Sequence, residues 1–176
     1  MMHRRSFLKL GAAGALSMST GKAFASLQDR KLSLYNIHTG EELETTYWSE
    51  GSYVGQSLGE IDHVLRDFRT GDAISMDTRL LDLLHSIRTR LGGSQPFHVI
   101  SGYRSPKTNA MLRSESSGVA KHSLHMQGMA ADICLPGRDL SVLHQVALDL
   151  GLGGVGYYPR SNFVHVDVGR VRYWHG

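Results

Sequence analysis

Beyond residue 28 the apolar positions change period repeatedly, from two to about 3.6 and back. KLSLYNIH (31–38) sets Leu32, Leu34 and Asn36 against Ser33, Tyr35 and Ile37, the alternation of a strand. With ELETTYW (42–48) across the turn at Thr39-Gly40 it reads as a β-hairpin. In SLGEIDHVLRDFR (57–69) Leu58, Ile61, Leu65 and Phe68 recur at helical spacing, and Ser57 with Glu60 has the form of a capping box. MDTRLLDLLHSIRTRLGG (76–93) predicts a helix starting at Asp77 and stopping at Gly92-Gly93. His63 and His85 lie on these two helices and read as helix residues, not ligands. PFHVISGYRS (96–105) is a strand running into a loop. SPKTNAMLRSE (105–115) is a helix with Ser105 as N-cap and Pro106 in its first turn. After the loop SSGVAKHS (116–123), MAADICLP (129–136) is a strand that ends at Pro136. RDLSVLHQVALDLG (138–151) is a helix ending at Gly151, followed by strands GGVGYYP (153–159) and FVHVDVG (163–169). The pattern predicts an α+β domain: a small, mostly antiparallel sheet with helices packed on one side.

The 176 residues, 41% of them hydrophobic, suffice for one domain with its own core. The first 25 residues do not fit that domain. Arg4 and Arg5 precede Phe7, Leu8 and Lys9, then a mildly apolar run, then Ala23-Phe24-Ala25. That order is a basic segment, a short apolar segment and an A-x-A cleavage site, and RRSFLK resembles a twin-arginine export signal. Residues 1–25 are therefore expected to be a signal peptide and 26–176 the functional domain, acting in the periplasm. The apolar run is too short and too rich in Gly and Ala for a membrane span, and none better follows. The formal charge of +3 includes four positive charges and no acid within residues 1–25, so the mature part carries −1. No overall basic balance remains to suggest nucleic acid. Cys134 is the only cysteine, so no intramolecular disulfide is available.

KHSLHMQGMAAD (121–132) holds the candidate chemistry. A catalytic zinc site takes three side-chain ligands from His, Asp, Glu or Cys and leaves one position open. His125 and Asp132 supply two, with Gly128 to let the backbone turn and Ala130 to keep the space beside the metal small. FVHVDVG supplies a third, because His165 and Asp167 face one way and the valines the other. Alone, the spacing from His125 to Asp132 is a weak signal; joined to His165 it is much stronger.

SLHMQGMAADI resembles S-x-H-x-x-G-x-A-x-D, the signature of the zinc D-Ala-D-Ala peptidases, a superfamily that also holds lysostaphin-type enzymes and the hedgehog fold. SGYRS (101–105) is similar to that superfamily's substrate-side arginine motif, and FVHVDVGRVRYW (163–174) to the C-terminal metal strand of its murein endopeptidase K branch. The resemblance covers about residues 30–175. It implies zinc on His125, Asp132 and His165, and hydrolysis of peptide cross-links in peptidoglycan. Arg104 would hold a substrate carboxylate or the oxyanion. Tyr103 flanks it in the motif and would share in substrate binding. Ser123 would support the ligand loop and contact substrate. The partners implied are peptidoglycan peptide stems, with zinc as cofactor.

One position departs from the pattern. Many relatives carry an acid three residues before the last histidine, where this chain has Asn162, which cannot accept a proton. Asp167 is the first candidate for the base and His122 the second; either could instead orient a ligand histidine. Cys134 reads as a buried apolar cysteine, although a thiolate there could bind zinc. Tyr157 and Tyr158 could line a peptide groove, and His175 reads as exposed. Asn162 also keeps an alternative open: a non-catalytic, zinc-containing module that binds peptidoglycan. The bond cut, D-Ala to diaminopimelate, diaminopimelate to diaminopimelate, or a terminal D-Ala, is not legible at this level, nor is the oligomeric state.

Overall fold

The computed structural model describes residues 28–116 and 118–176, so the expected signal at 1–25 lies outside the described residues. The expected hairpin is present as β1 (Arg30–Asn36) and β2 (Glu42–Ser49), antiparallel, with Leu34 opposite Leu43. A two-residue strand, β3 (Ser52–Tyr53), extends it. Then come α1 (Gly55–Val64), α2 (Thr78–Leu91), β4 (Phe97–Ser101), α3 (Pro106–Glu115), β5 (Ala130–Cys134), α4 (Leu140–Leu150), β6 (Gly154–Tyr158), β7 (Phe163–Asp167) and β8 (Arg172–His175). Short 3-10 turns at Leu124–Gln127 and Pro159–Ser161 flank the strands of the site.

The sheet corrects the expected one. It has eight strands in the order β3-β2-β1-β4-β5-β7-β6-β8 and is mixed, because β1 runs parallel to β4 and β6 parallel to β8. The β1–β4 pairing becomes parallel because α1 and α2 form the crossover between those strands. Strands β3 and β8 are too short to show a hydrophobic alternation of their own, so periodicity did not find them.

One face of the sheet carries the core. Leu32 and Leu34 of β1, Phe97 and Val99 of β4, Ile133 of β5 and Val164 and Val166 of β7 are buried there with Leu80, Leu84 and Ile87 of α2 and Leu143 of α4. Tyr47 is fully buried and donates to Asp82 of α2 at 2.9 Å. The opposite face of β5 and β7 carries the polar residues, by the period of two.

Two local details differ from the sequence expectation, and the second serves the far face. Helix α1 begins after Val54 and makes no side-chain cap; Ser57 instead accepts a hydrogen bond from Thr45 at 2.9 Å. It also ends at Val64, well short of residue 69. Leu65 O accepts from Tyr103 N at 2.7 Å, and buried Asp67 accepts from Ser105 N at 2.8 Å and from Arg69 N at 3.0 Å. Burial would raise the Asp67 carboxyl, but hydrogen bonds from Thr108 and Ser105 outweigh it and keep it ionised. The segment after α1 thus leaves the helix to clamp the loop that presents Arg104. Helices α2 and α3 start as expected: Asp77 accepts from Arg79 N, and Ser105 accepts from Thr108 N with Pro106 in the first turn.

Candidate active site

Asp132 and His165 are direct partners across the antiparallel β5–β7 ladder, so their side chains stand side by side on the open face. His125 reaches the same point from the 3-10 turn Leu124–Gln127. Ser123 caps that turn by accepting from His125 N at 3.3 Å. Gly128 closes it at φ 67°, and a β-carbon there would lie 2.9 Å from Ser75 O, so only glycine fits. Backbone groups of Gly128 and Asp77 then tie the turn to the start of α2 at 2.9 Å.

Three donor atoms converge. His165 Nδ1 lies 2.9 Å from Asp132 Oδ1, His125 Nε2 lies 3.3 Å from Asp132 Oδ1, and the two imidazole nitrogens are 3.2 Å apart. Tetrahedral bonds of about 2.0 Å put ligand atoms about 3.3 Å apart, close to these separations. The far nitrogens fix the tautomers. His125 Nδ1 is 2.7 Å from Gly102 O, which can only accept, so Nδ1 carries the proton and Nε2 offers its lone pair. His165 Nε2 is 2.9 Å from Asp167 Oδ2, which leaves Nδ1 toward the cluster. All three residues are buried. Burial keeps His125 neutral, with its pKa lowered against the pull of Asp132. Burial would raise Asp132, but the two imidazoles outweigh it and hold the carboxylate far below its ordinary range. The same carboxylate and Asp167 outweigh burial at His165 and lift its pKa to about 9, so a cation binding here would displace the Nδ1 proton to reach the lone pair. Lone pairs and carboxylates aimed at one point are the donor set of a divalent cation, and among the described residues no other group of three or more such side chains forms one.

Asp167 stands behind His165. It is fully buried and accepts from His165 Nε2, Arg172 Nη1 at 3.0 Å, Arg172 Nη2 at 2.7 Å, Gly154 N at 3.1 Å and Gly169 N at 2.9 Å. Burial opposes its charge, but these donors hold it well below the usual carboxylate range. It contacts the ring nitrogen opposite the one that faces Asp132, and it does not line the groove. That placement suits the other role the sequence left open for Asp167, orienting a ligand histidine.

A groove of about 500 Å³ opens over the cluster, lined by Arg104, His122, Tyr158, Phe163, Arg172 and Trp174 among others. Arg104 has a side chain 13% exposed; Nη2 lies 3.5 Å from Asp132 Oδ2 and 3.4 Å from Ser101 Oγ, and its backbone N–H donates to His125 O. Ser123 also lines the groove. Tyr103, expected to share in substrate binding, is outside this lining, and its ring packs against the core. Asn162 is exposed and outside the lining, in left-handed backbone (φ 55°, ψ 47°) that ends the Pro159–Ser161 turn. Cys134 is half-buried, outside the cluster, with its thiol pushed up by burial, away from the thiolate a metal would need.

The sequence reading missed Arg172 and Trp174 as groove residues. Strand β8 brings both in beside β6, where Gly154 and Gly156 make room. A β-carbon on Gly154 would collide with Arg172 and Asp167, and one on Gly156 would lie 2.6–2.7 Å from the Trp174 indole. Two glycines two apart in one strand were the available signal. His175 is exposed, as expected, and lies in β8 against Tyr157 and His144.

A family model described as peptidoglycan L,D-endopeptidase MepK matches residues 24–174. The chain is 44% identical to the peptidoglycan L,D-endopeptidase MepK of Escherichia coli (strain K12) over 177 residues, 98% of this chain and 97% of that protein. The Shigella flexneri protein of the same name matches to the same extent. The probable peptidoglycan L,D-endopeptidase MepK of Haemophilus influenzae is 40% identical over 179 residues, 99% of this chain and 96% of that protein.

Proposed function

The chain belongs to the peptidoglycan L,D-endopeptidase MepK family, and from that premise we propose how its groove works and which bond it cuts. The protein is a peptidoglycan endopeptidase that hydrolyses peptide cross-links of the cell wall. Of the bonds left open by the sequence, the one joining an L-centre to a D-centre is the amide between two diaminopimelates. The names of the relatives support it as the substrate. Zinc is the proposed metal, held by His125, Asp132 and His165, and the convergence of those three side chains under the groove is the observation that carries the reading. When bound there it supplies a Lewis acid for the water and the scissile carbonyl.

The chain's own residues do the rest. Arg104 presents a planar cation at the edge of the cluster, suited to a substrate carboxylate or to charge developing on the carbonyl oxygen. Asp167, locked by Arg172, fixes the ring of His165 and raises its basicity as a ligand. The groove lining includes one carboxylate, Asp132, which is committed to the cluster, and one imidazole outside it, His122. His122 is therefore the proposed proton acceptor. Action on peptidoglycan places the protein in the periplasm or outside the cell; the twin-arginine route is the proposed path there, from Arg4-Arg5 and Ala23-Phe24-Ala25. Among the described residues no helix is long and apolar enough to cross a membrane.

The test is a digest of purified cross-linked muropeptides by residues 26–176, resolved by mass, with zinc, with chelator and with His125→Ala. Diaminopimelate-linked dimers should fall to monomers only with zinc-loaded wild type. Cleavage confined to D-Ala-to-diaminopimelate dimers would remove the bond assignment. Binding of zinc and muropeptide without cleavage would return the protein to the non-catalytic module.

A further inference from the structure

We infer that the Tyr158 hydroxyl is a preset hydrogen-bond donor to the oxyanion formed at the scissile carbonyl, acting beside Arg104. Tyr158 closes β6 and lines the groove that holds His125, Asp132 and His165. Its ring stacks on Phe163 at 4.5 Å and 19°. The end of the chain also packs against it, where a β-carbon on Gly176 would overlap the ring. Its oxygen accepts from Trp174 Nε1 at 2.8 Å. Trp174 is itself placed by the groove: its indole lies 5.2 Å from the His165 ring and under the Arg172 guanidinium at 5.0 Å.

These contacts decide what the hydroxyl can do. A phenol has one proton to donate and two lone pairs. The indole N–H, a donor only, occupies one lone pair. The proton has no acceptor among the described residues and is left for the groove. Tyr158 and Arg104 line the same groove, so the two donors serve one space. Donors fixed before the reaction, aimed where negative charge develops, need no reorganisation as it forms. The ring stacking and the indole bond supply that fixation. Tyr157, one residue earlier, cannot substitute: strand alternation turns it to the helix side, where it stacks on His144 at 4.6 Å.

This inference rests on the reading of the groove as the endopeptidase site. The experiment compares zinc-loaded wild type, Tyr158→Phe and Trp174→Phe. It measures kcat and KM on diaminopimelate-linked dimers, zinc content, melting temperature, and calorimetric affinity for a phosphinate mimic of the tetrahedral species and for an uncleavable dimer. Tyr158→Phe keeps the ring stack and deletes only the hydroxyl. It should lower kcat about 100-fold, leave KM within a factor of about two, and weaken the phosphinate as much as kcat while the uncleavable dimer binds unchanged. A purely structural role would not separate the two ligands. Trp174→Phe leaves the phenol but unpins it, and should lower kcat and phosphinate affinity together by a smaller factor. Unchanged kcat and phosphinate affinity in Tyr158→Phe overturn the inference. If Tyr158→Phe fails to fold, the decision passes to Trp174→Phe, whose full activity overturns it. Wild type that cuts no cross-link refutes the endopeptidase reading instead, a different result from a cutting wild type with an indifferent Tyr158.

Discussion

Asp167→Asn separates two roles that the sequence could not. In the structure Oδ1 collects Gly154 N, Gly169 N and Arg172 Nη1, while Oδ2 collects Arg172 Nη2 and His165 Nε2. An asparagine oxygen can keep the Oδ1 partners. Its NH2 then meets two donors at the Oδ2 position. It can satisfy His165 only if Nε2 becomes the acceptor, which moves the ring proton to Nδ1, the atom that faces Asp132. The ligand lone pair is lost, so the first consequence is on the metal. Removing such an orienting partner costs about 10–100-fold in metal affinity or activity. The second is on stability. Breaking a buried ion pair costs about 3–5 kcal/mol, and a hydrogen bond to a charged group about 1.5–3. The Arg172 side chain is 33% exposed, so water can take up part of its charge and the expected loss is at the low end, about 2–3 kcal/mol. At about 2–4 °C per kcal/mol for a chain of this size, the melting temperature should fall by roughly 4–12 °C. The assay is zinc competition against a chromophoric chelator, followed by kcat at rising zinc. Asp167→Asn should bind zinc about 10–100-fold more weakly and recover much of its kcat when zinc saturates. A base would behave otherwise: full zinc affinity, with kcat down by about 10²–10⁴ at saturation. That second pattern would refute the positioning role.

Three further outcomes follow from the same geometry. Arg104→Lys keeps the charge but loses the planar fork, and kcat/KM should fall about 100-fold with zinc content unchanged; wild-type kinetics would show that Arg104 does not meet reacting charge. Gly156→Ala forces a methyl within 2.6–2.7 Å of the Trp174 indole; it should cost about 1–3 kcal/mol in a denaturant melt and also lower kcat, and a neutral variant would mean that β8 does not hold Trp174 rigidly. Stripping zinc with a chelator should abolish cleavage and lower stability by about 4 kcal/mol relative to protein at 1,000 times its dissociation constant, both restored by zinc; cleavage that survives chelation would refute a metal role.

The sequence carried the ligands because their spacing is set by strand geometry. Asp132 and His165 each sit between core residues, Ala131 and Ile133 for one, Val164 and Val166 for the other, so alternation alone put them on the far face. Which strand pairs with which is a long-range property, and the parallel β6–β8 contact has no local signature. Arg172 and Trp174 were therefore invisible as groove residues, although Gly154 and Gly156 mark the clearing they fill. Helix α1 was overextended for a related reason: Leu65 and Phe68 continue the helical period, but Leu65 O and the Asp67 carboxylate are taken by the Arg104 loop. Tertiary hydrogen bonds overrode local preference there. A motif fixes the place of Tyr103 in the sequence but not the direction of its ring, which packs on the core.

Asn162 is explained by the turn it makes. Its left-handed backbone reverses the chain between β6 and β7, a conformation asparagine adopts more readily than most residues, and its side chain faces solvent. The position where the resemblance implied an acid thus serves here to start the strand carrying His165. The consequence reaches the electrostatics of the groove. Arg104 and Arg172 line it with Asp132 as the one carboxylate in the lining, and that carboxylate belongs to the cluster. Without a further acid in the lining, the walls suit a substrate rich in carboxylates, as a diaminopimelate cross-link is. In the proposed mechanism, charge on the carbonyl oxygen is left to a guanidinium and a phenol, and the proton to an imidazole.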